Sequence, residues 1–189
     1  MPTLEKWLIG LLLAWAGAAG AGAPAVGLGE PLTQAQLARH DITVFPDGRN
    51  LPPGRGSVTE GRAIYRAQCA ACHGEKGIEG PATRLAGSDG LFGWDDPLRI
   101  VRIKKYPLLI WSMGARWPYA TSIFDYVRRA MPHTAPKSLS DDQVYAVTAY
   151  LLRMNDLVDA NAVMDRKALP KVRMPAQERS VSAWPKLAP

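Results

Sequence analysis

The sequence predicts an all-α fold, a small helical bundle with irregular extensions at both ends, and three observations carry that prediction. Ser57-Val-Thr-Glu60 and Ser140-Asp-Asp-Gln143 are capping boxes, in which the first and fourth side chains satisfy each other's backbone N–H groups. Each opens a run with helical spacing: Ile64, Tyr65 and Gln68 follow the first, and Val144, Val147, Tyr150 and Leu151 the second. The first run ends in Cys69-Ala70-Ala71-Cys72-His73, with no βαβ pattern around it of the kind a thioredoxin-like pair would require.

The spacing Cys-x-x-Cys-His is the attachment signature of haem c. Two thiols three positions apart on one helical turn can reach both vinyl groups of a porphyrin, and the next residue places an imidazole beneath the iron. A structural zinc site would need four thiolate or imidazole ligands. The chain offers two cysteines and three histidines, His40, His73 and His133, far apart in sequence. Cys69 and Cys72 are therefore the expected thioether anchors of one covalent haem c and His73 its proximal ligand, which leaves no cysteine for a structural disulfide.

Taken in order, the chain begins with an apolar stretch from Trp7 to Ala23, preceded by Lys6 and ending in small residues. This is the pattern of a secretory signal, assigned to residues 1–25, with cleavage after Ala21 or Ala25 and export to the periplasm. An uncleaved leader would instead be a membrane anchor. Residues 26–56 are expected to form an irregular linker rich in proline and glycine, interrupted by a short helix from Thr33 to Arg39. The haem-bearing domain is assigned to residues 57–156. Its first helix is expected to run from Ser57 into the Cys-His motif and to stop at Gly74. A second helix spans Thr121 to Ala130, and the last runs from the Ser140 box through Met154. Residues 157–189 hold little periodicity and are expected to wrap the surface or stay partly disordered.

A low-spin electron-transfer haem needs a sixth ligand. Met131, Met113, His133 and Met154 are the candidates. Met131 is favoured, because it follows a helix and immediately precedes Pro132, which forces the chain into an extended loop. Met154 lies on the last helix, where packing against the first is the simpler role. Trp94, Trp111 and Trp117 are expected to wall the porphyrin, and any of them, or a nearby Arg or Tyr, can hydrogen-bond a propionate.

The net charge of +6 is scattered and accompanies no nucleic-acid-binding motif, so nucleic acid is not an expected partner. Such charge suits steering towards acidic proteins. Two basic pairs, Lys104-Lys105 and Arg128-Arg129, are the candidates, the second being nearer the expected haem edge.

From about Ser57 to Asn155 the order of motif helix, ligand loop and terminal helix resembles the class I cytochrome c fold. That resemblance implies Met131 as distal ligand, a backbone carbonyl at Gly80-Pro81 as the acceptor for the second ring nitrogen of His73, and Leu85 at one edge of the porphyrin. The flanks narrow it. Leu51-Pro-Pro-Gly-Arg-Gly-Ser57, Trp117-Pro-Tyr-Ala-Thr121, Phe124-Asp-Tyr-Val-Arg-Arg-Ala-Met-Pro132, Ala135-Pro-Lys-Ser-Leu-Ser140 and Leu169-Pro-Lys-Val-Arg-Met-Pro175 resemble the cytochrome subunits of periplasmic Sox-type sulfur and sulfite dehydrogenases. The resemblance implies a molybdopterin sulfite or sulfane-sulfur dehydrogenase as electron donor and another cytochrome or an oxidase as acceptor. The chain itself would be an electron-transfer subunit, as opposed to a general diffusible carrier or a peroxidase-like haem protein. It departs from the larger Sox cytochromes in carrying one Cys-x-x-Cys-His motif where they carry two, and in the stretch from Lys105 to Arg116.

Overall fold

The computed structural model describes residues 29–87 and 112–181. The leader at 1–25, Lys104-Lys105, Trp94 and Trp111 lie outside the described residues. The chain divides into two units, Met1–His40 and Asp41–Pro189.

The first unit contains helix α1, Gln34–His40, with no buried residue. Thr33 opens it: its backbone N–H donates to Gln36 Oε1 at 2.8 Å, and its hydroxyl accepts from the Gln36 N–H. Among the described residues, no helix is long and apolar enough to cross a membrane.

The second unit is built on helices α2 (Val58–Gln68), α3 (Ala70–His73), α4 (Met113–Arg116), α5 (Ala120–Ala130) and α6 (Asp141–Met154). Both capping boxes form as expected, Ser57 with Glu60 on α2 and Ser140 with Gln143 on α6. The motif helix is not continuous, however. Cys69, at φ −122° and ψ −35°, separates α2 from the one-turn α3. Its N–H still bonds to Tyr65 O at 2.8 Å, so the chain bends there without abandoning its backbone partners.

The core is centred on α6, which buries Val144, Tyr145, Val147, Leu151 and Leu152. Helix α2 lies against it at a point where side chains are missing. A Cβ on Gly61 would stand 1.8 Å from the carbonyl oxygen of Ala146, and one on Gly56 would stand 2.2 Å from the Ala146 nitrogen. The two backbones are therefore closer than any larger residue permits. One turn further on, the rings of Tyr65 and Tyr150 pack with centroids 5.2 Å apart.

The segments on either side of this helical core are packed into it. Strand β1 (Arg55–Ser57) pairs antiparallel with β2 (Val163–Asp165), with Gly56 opposite Met164. Val44, Leu51, Met164, Leu169 and Met174 are all buried. The Tyr145 hydroxyl donates to Pro52 O at 2.9 Å, and Asp142 Oδ1 accepts from the Arg55 N–H at 2.8 Å. After β2, Asp165 accepts from the backbone N–H groups of Ala168 and Lys167, which holds its carboxyl below the usual range. A 3₁₀ turn, Leu169–Lys171, follows. The tail thus carries ordered structure that its lack of periodicity did not announce.

Gly61→Val drives a branched side chain into the Ala146 backbone. Thermal unfolding should show a loss of about 3 kcal/mol or more, at the upper end of overpacking effects because backbone, not a side-chain tip, is in the way.

Candidate haem site

The Cys-His turn is assembled by short-range hydrogen bonds. The N–H groups of Cys72 and His73 both donate to Cys69 O, at 3.1 and 2.9 Å, and Gly74 N–H donates to Ala70 O at 2.8 Å. Gly74 then ends the helix with φ +84°, a conformation suited to glycine. From inside α2, the hydroxyl of the fully buried Tyr65 donates to Gly74 O at 2.8 Å. Burial, with smaller effects from Cys69 and Tyr150, raises this phenol above its ordinary range, so it remains a donor.

The loop behind the turn folds back onto it. Gly80 sits so close that a Cβ there would be 2.1 Å from Cys72 O, and the Ala82 N–H donates to that same oxygen at 2.8 Å. This contact carries the chain past Gly80-Pro81 before a carbonyl can face the imidazole. The acceptor for His73 Nδ1 is consequently Thr83 O, at 2.8 Å, and not a carbonyl of the Gly-Pro pair. With Nδ1 donating to a carbonyl, which can only accept, Nε2 keeps the lone pair a metal requires. Leu85 N–H then donates to Gly77 O at 2.8 Å and closes the loop.

A cavity of about 520 Å³ opens beside this turn. Cys69, Cys72, His73, Thr83, Arg84 and Leu85 line one part of it; Met113 and Trp117 line another; Ile123, Tyr126 and Val127 come from α5; Met131, Pro132, His133 and Leu139 from the loop beyond; Val147 and Leu151 from α6. The structure therefore brings Met131, Met113 and His133 to the same space as His73. Met154 is not among the lining residues; its methyl packs over Gly77, where a Cβ would be 2.8 Å away.

The three lining candidates differ in setting. Met131 is the C-cap of α5, half-buried, with extended backbone and its N–H on Val127 O at 3.1 Å. Met113 is buried within α4, and His133 is exposed. Trp117 reaches the cavity and meets Tyr126 edge-on, ring centroids 5.4 Å apart. The Arg128-Arg129 pair is not a free basic patch, because Arg128 Nε lies 2.9 Å from Asp141 Oδ1 and Arg129 is paired with Asp125.

The lining suits a porphyrin. It is largely aliphatic and aromatic, its volume falls within the range of cofactor pockets, and it opens onto both thiols and onto an imidazole whose outer nitrogen is already engaged. Burial, and then the neighbouring Cys72, pushes the Cys69 thiol up to about 11, so this sulfur is a protonated thiol at neutral pH. Sequence reasoning missed Thr83, the Tyr65 hydroxyl and Tyr126. Of these, only the Tyr four residues before Cys69 gave a signal, as an aromatic facing inward.

A helical domain closing on such a cavity around Cys-x-x-Cys-His defines a c-type cytochrome. Residues 56–151 match the family model described as cytochrome c oxidase, cbb3-type, subunit III. A chain in the crystal structure of the sulfane dehydrogenase SoxCD from Paracoccus pantotrophus is 35% identical and superposes with a TM-score of 0.68, the match covering 82% of this chain and 71% of that one. No curated protein matches the chain. The chain belongs to this c-type cytochrome family: it is an electron carrier with the class I cytochrome c fold, and the domain implies haem c.

Gly80→Ala places a methyl group against the Cys72 carbonyl. It should lower the melting temperature and the haem content of matured protein together, read by thermal denaturation and by pyridine haemochrome absorbance per mole of chain.

Proposed function

We propose that this chain is exported to the periplasm by its leader, residues 1–25, and carries a single haem c covalently through Cys69 and Cys72, with His73 and Met131 as axial ligands. Its role on this reading is to serve as cytochrome subunit, or direct electron acceptor, of a molybdenum-containing sulfite or sulfane-sulfur dehydrogenase. Residues 57–156 form the functional core, residues 26–56 the leading linker and residues 157–189 the trailing extension. The observation that carries the haem assignment is the shared cavity: the Cys-His turn and the loop after α5 are remote in sequence and line one space. The 35% identity with a chain of SoxCD supports the choice of partner.

Met131 is preferred as distal ligand for a local reason. Its extended backbone follows α5 directly, and Pro132, lacking an N–H, prevents another helical turn that would draw the thioether away. Haem c would supply a one-electron iron couple, and ligation by the Met131 thioether and the His73 imidazole would favour its reduced form. The polypeptide's part is to keep those ligands still and the cavity dry. Thr83 fixes the ring of His73, while Leu85, Ile123, Val127 and Leu151 exclude water. Arg128 and Arg129 are each ion-paired, so this pair contributes little unanswered positive charge to steer an acidic partner.

In protein matured with a cytochrome c assembly apparatus, Met131→Ala should abolish the near-infrared sulfur-to-iron band of the oxidised state. Loss of that band in Met113→Ala instead would transfer the role to Met113. Affinity capture from the native periplasm should bring down a molybdenum protein in roughly equal molar amount. Capture of the cytochrome alone at low ionic strength would make it a freely diffusing carrier.

A further inference from the structure

Tyr65 poses a chemical question that its packing does not answer. A phenylalanine would fill the same fully buried space and stack equally well on Tyr150. The hydroxyl must therefore be justified by its partner, since a buried O–H without one is costly. That partner is Gly74 O, at 2.8 Å, the carbonyl immediately after His73.

Gly74 is where the Cys-His turn leaves helical geometry, with φ +84°. Its carbonyl also accepts from the Gly77 N–H at 3.2 Å. On its amino side the His73 backbone is already fixed by the bond from its N–H to Cys69 O. The Tyr65 hydroxyl supplies the corresponding restraint on the carboxyl side and ties it to the rigid body of α2. Only with both ends of the residue fixed does the side chain have one place to stand, and from there Nδ1 meets Thr83 O at 2.8 Å.

We infer that Tyr65 is a positioning residue for His73: through its bond to Gly74 O it holds the turn in the register that keeps the imidazole on the Thr83 carbonyl. This rests on the reading of His73 as an iron ligand. An imidazole whose outer N–H is well bonded is a more basic ligand, which favours the oxidised metal. Loosening that bond therefore moves the midpoint potential upward. The Tyr65 ring also lines the cavity, so repacking by itself can shift the potential; it does not loosen the Nδ1 proton, and faster exchange of that proton is the readout that separates the two.

The test compares reduced holoprotein of wild type, Tyr65→Phe and Tyr150→Phe. Nuclear magnetic resonance follows exchange of the His73 Nδ1 proton with solvent, and redox titration gives the midpoint potential. In Tyr65→Phe the proton should exchange about tenfold faster, the change expected for one buried hydrogen bond, and the potential should become more positive. Tyr150→Phe, which keeps the Tyr65 hydroxyl, should match wild type in both. Unchanged exchange of the Nδ1 proton in Tyr65→Phe would overturn the inference, whatever happens to its stability or its potential. Should that variant yield no holoprotein, the wild type still decides: a slowly exchanging Tyr65 hydroxyl proton close to the Gly74 α-protons supports the inference, and a hydroxyl exchanging too fast to observe overturns it. A wild-type protein with no ring-current-shifted His73 signal would refute His73 as the ligand, a separate result.

Discussion

The near-contact of Gly61 with the backbone of Ala146 sets the position of nearly everything else. Helix α2 ends where the Cys-His turn begins, so the distance of α2 from α6 decides where both thiols and the imidazole come to rest. Helix α6 in turn contributes Val147 and Leu151 to the cavity, and its capping box at Ser140 ends the loop that starts at Met131. Two absent side chains, at Gly61 and at Gly56, therefore set how closely this part of the chain approaches α6. A further close approach, Gly80 on the Cys72 carbonyl, acts at shorter range, within the loop that presents Thr83 O to the imidazole.

Much of this was legible beforehand because it is local. A serine three residues ahead of a glutamate or glutamine, followed by apolar residues at helical spacing, needs no tertiary information, and α2 and α6 start where those patterns begin. The end of α5 and the stop at Gly74 follow equally from Pro132 and from glycine's tolerance of positive φ. What stayed hidden depends on contacts between remote segments. The break at Cys69, a single residue at φ −122° between two helical segments, leaves no mark in propensity. The shift of the acceptor from Gly80-Pro81 to Thr83 accompanies a carbonyl–glycine contact between the Cys-His turn and the loop behind it. Strand β2 is only Val163-Met-Asp165, too short to show alternation, and it exists because β1 offers an edge to pair with.

Electrostatics were the least readable feature. Adjacent arginines in a positively charged chain suggested a docking surface, yet Asp125, one turn back on the same helix, and Asp141, at the start of the next, neutralise them. Sequence composition reports total charge, whereas recognition depends on which charges are left unanswered at a given spot. The three-dimensional neighbours of Arg128 could not be inferred from its position beside Arg129.

The pairing of β1 with β2 bears on how small this molecule can be made. The family match ends at residue 151, and a chain cut to that span would keep α2 and α5 but would clip the last turn of α6, with the buried Leu152. It would lose Met164, Leu169 and Met174 from the apolar interior, the Ala162 carbonyl that receives the N–H of Val58, and, without residue 52, the oxygen that satisfies Tyr145. Beyond the 56–151 span of the family model, the covering of α6 therefore draws on buried residues from Val44 to Ala176. Any fusion, tag or split of the polypeptide belongs outside those limits.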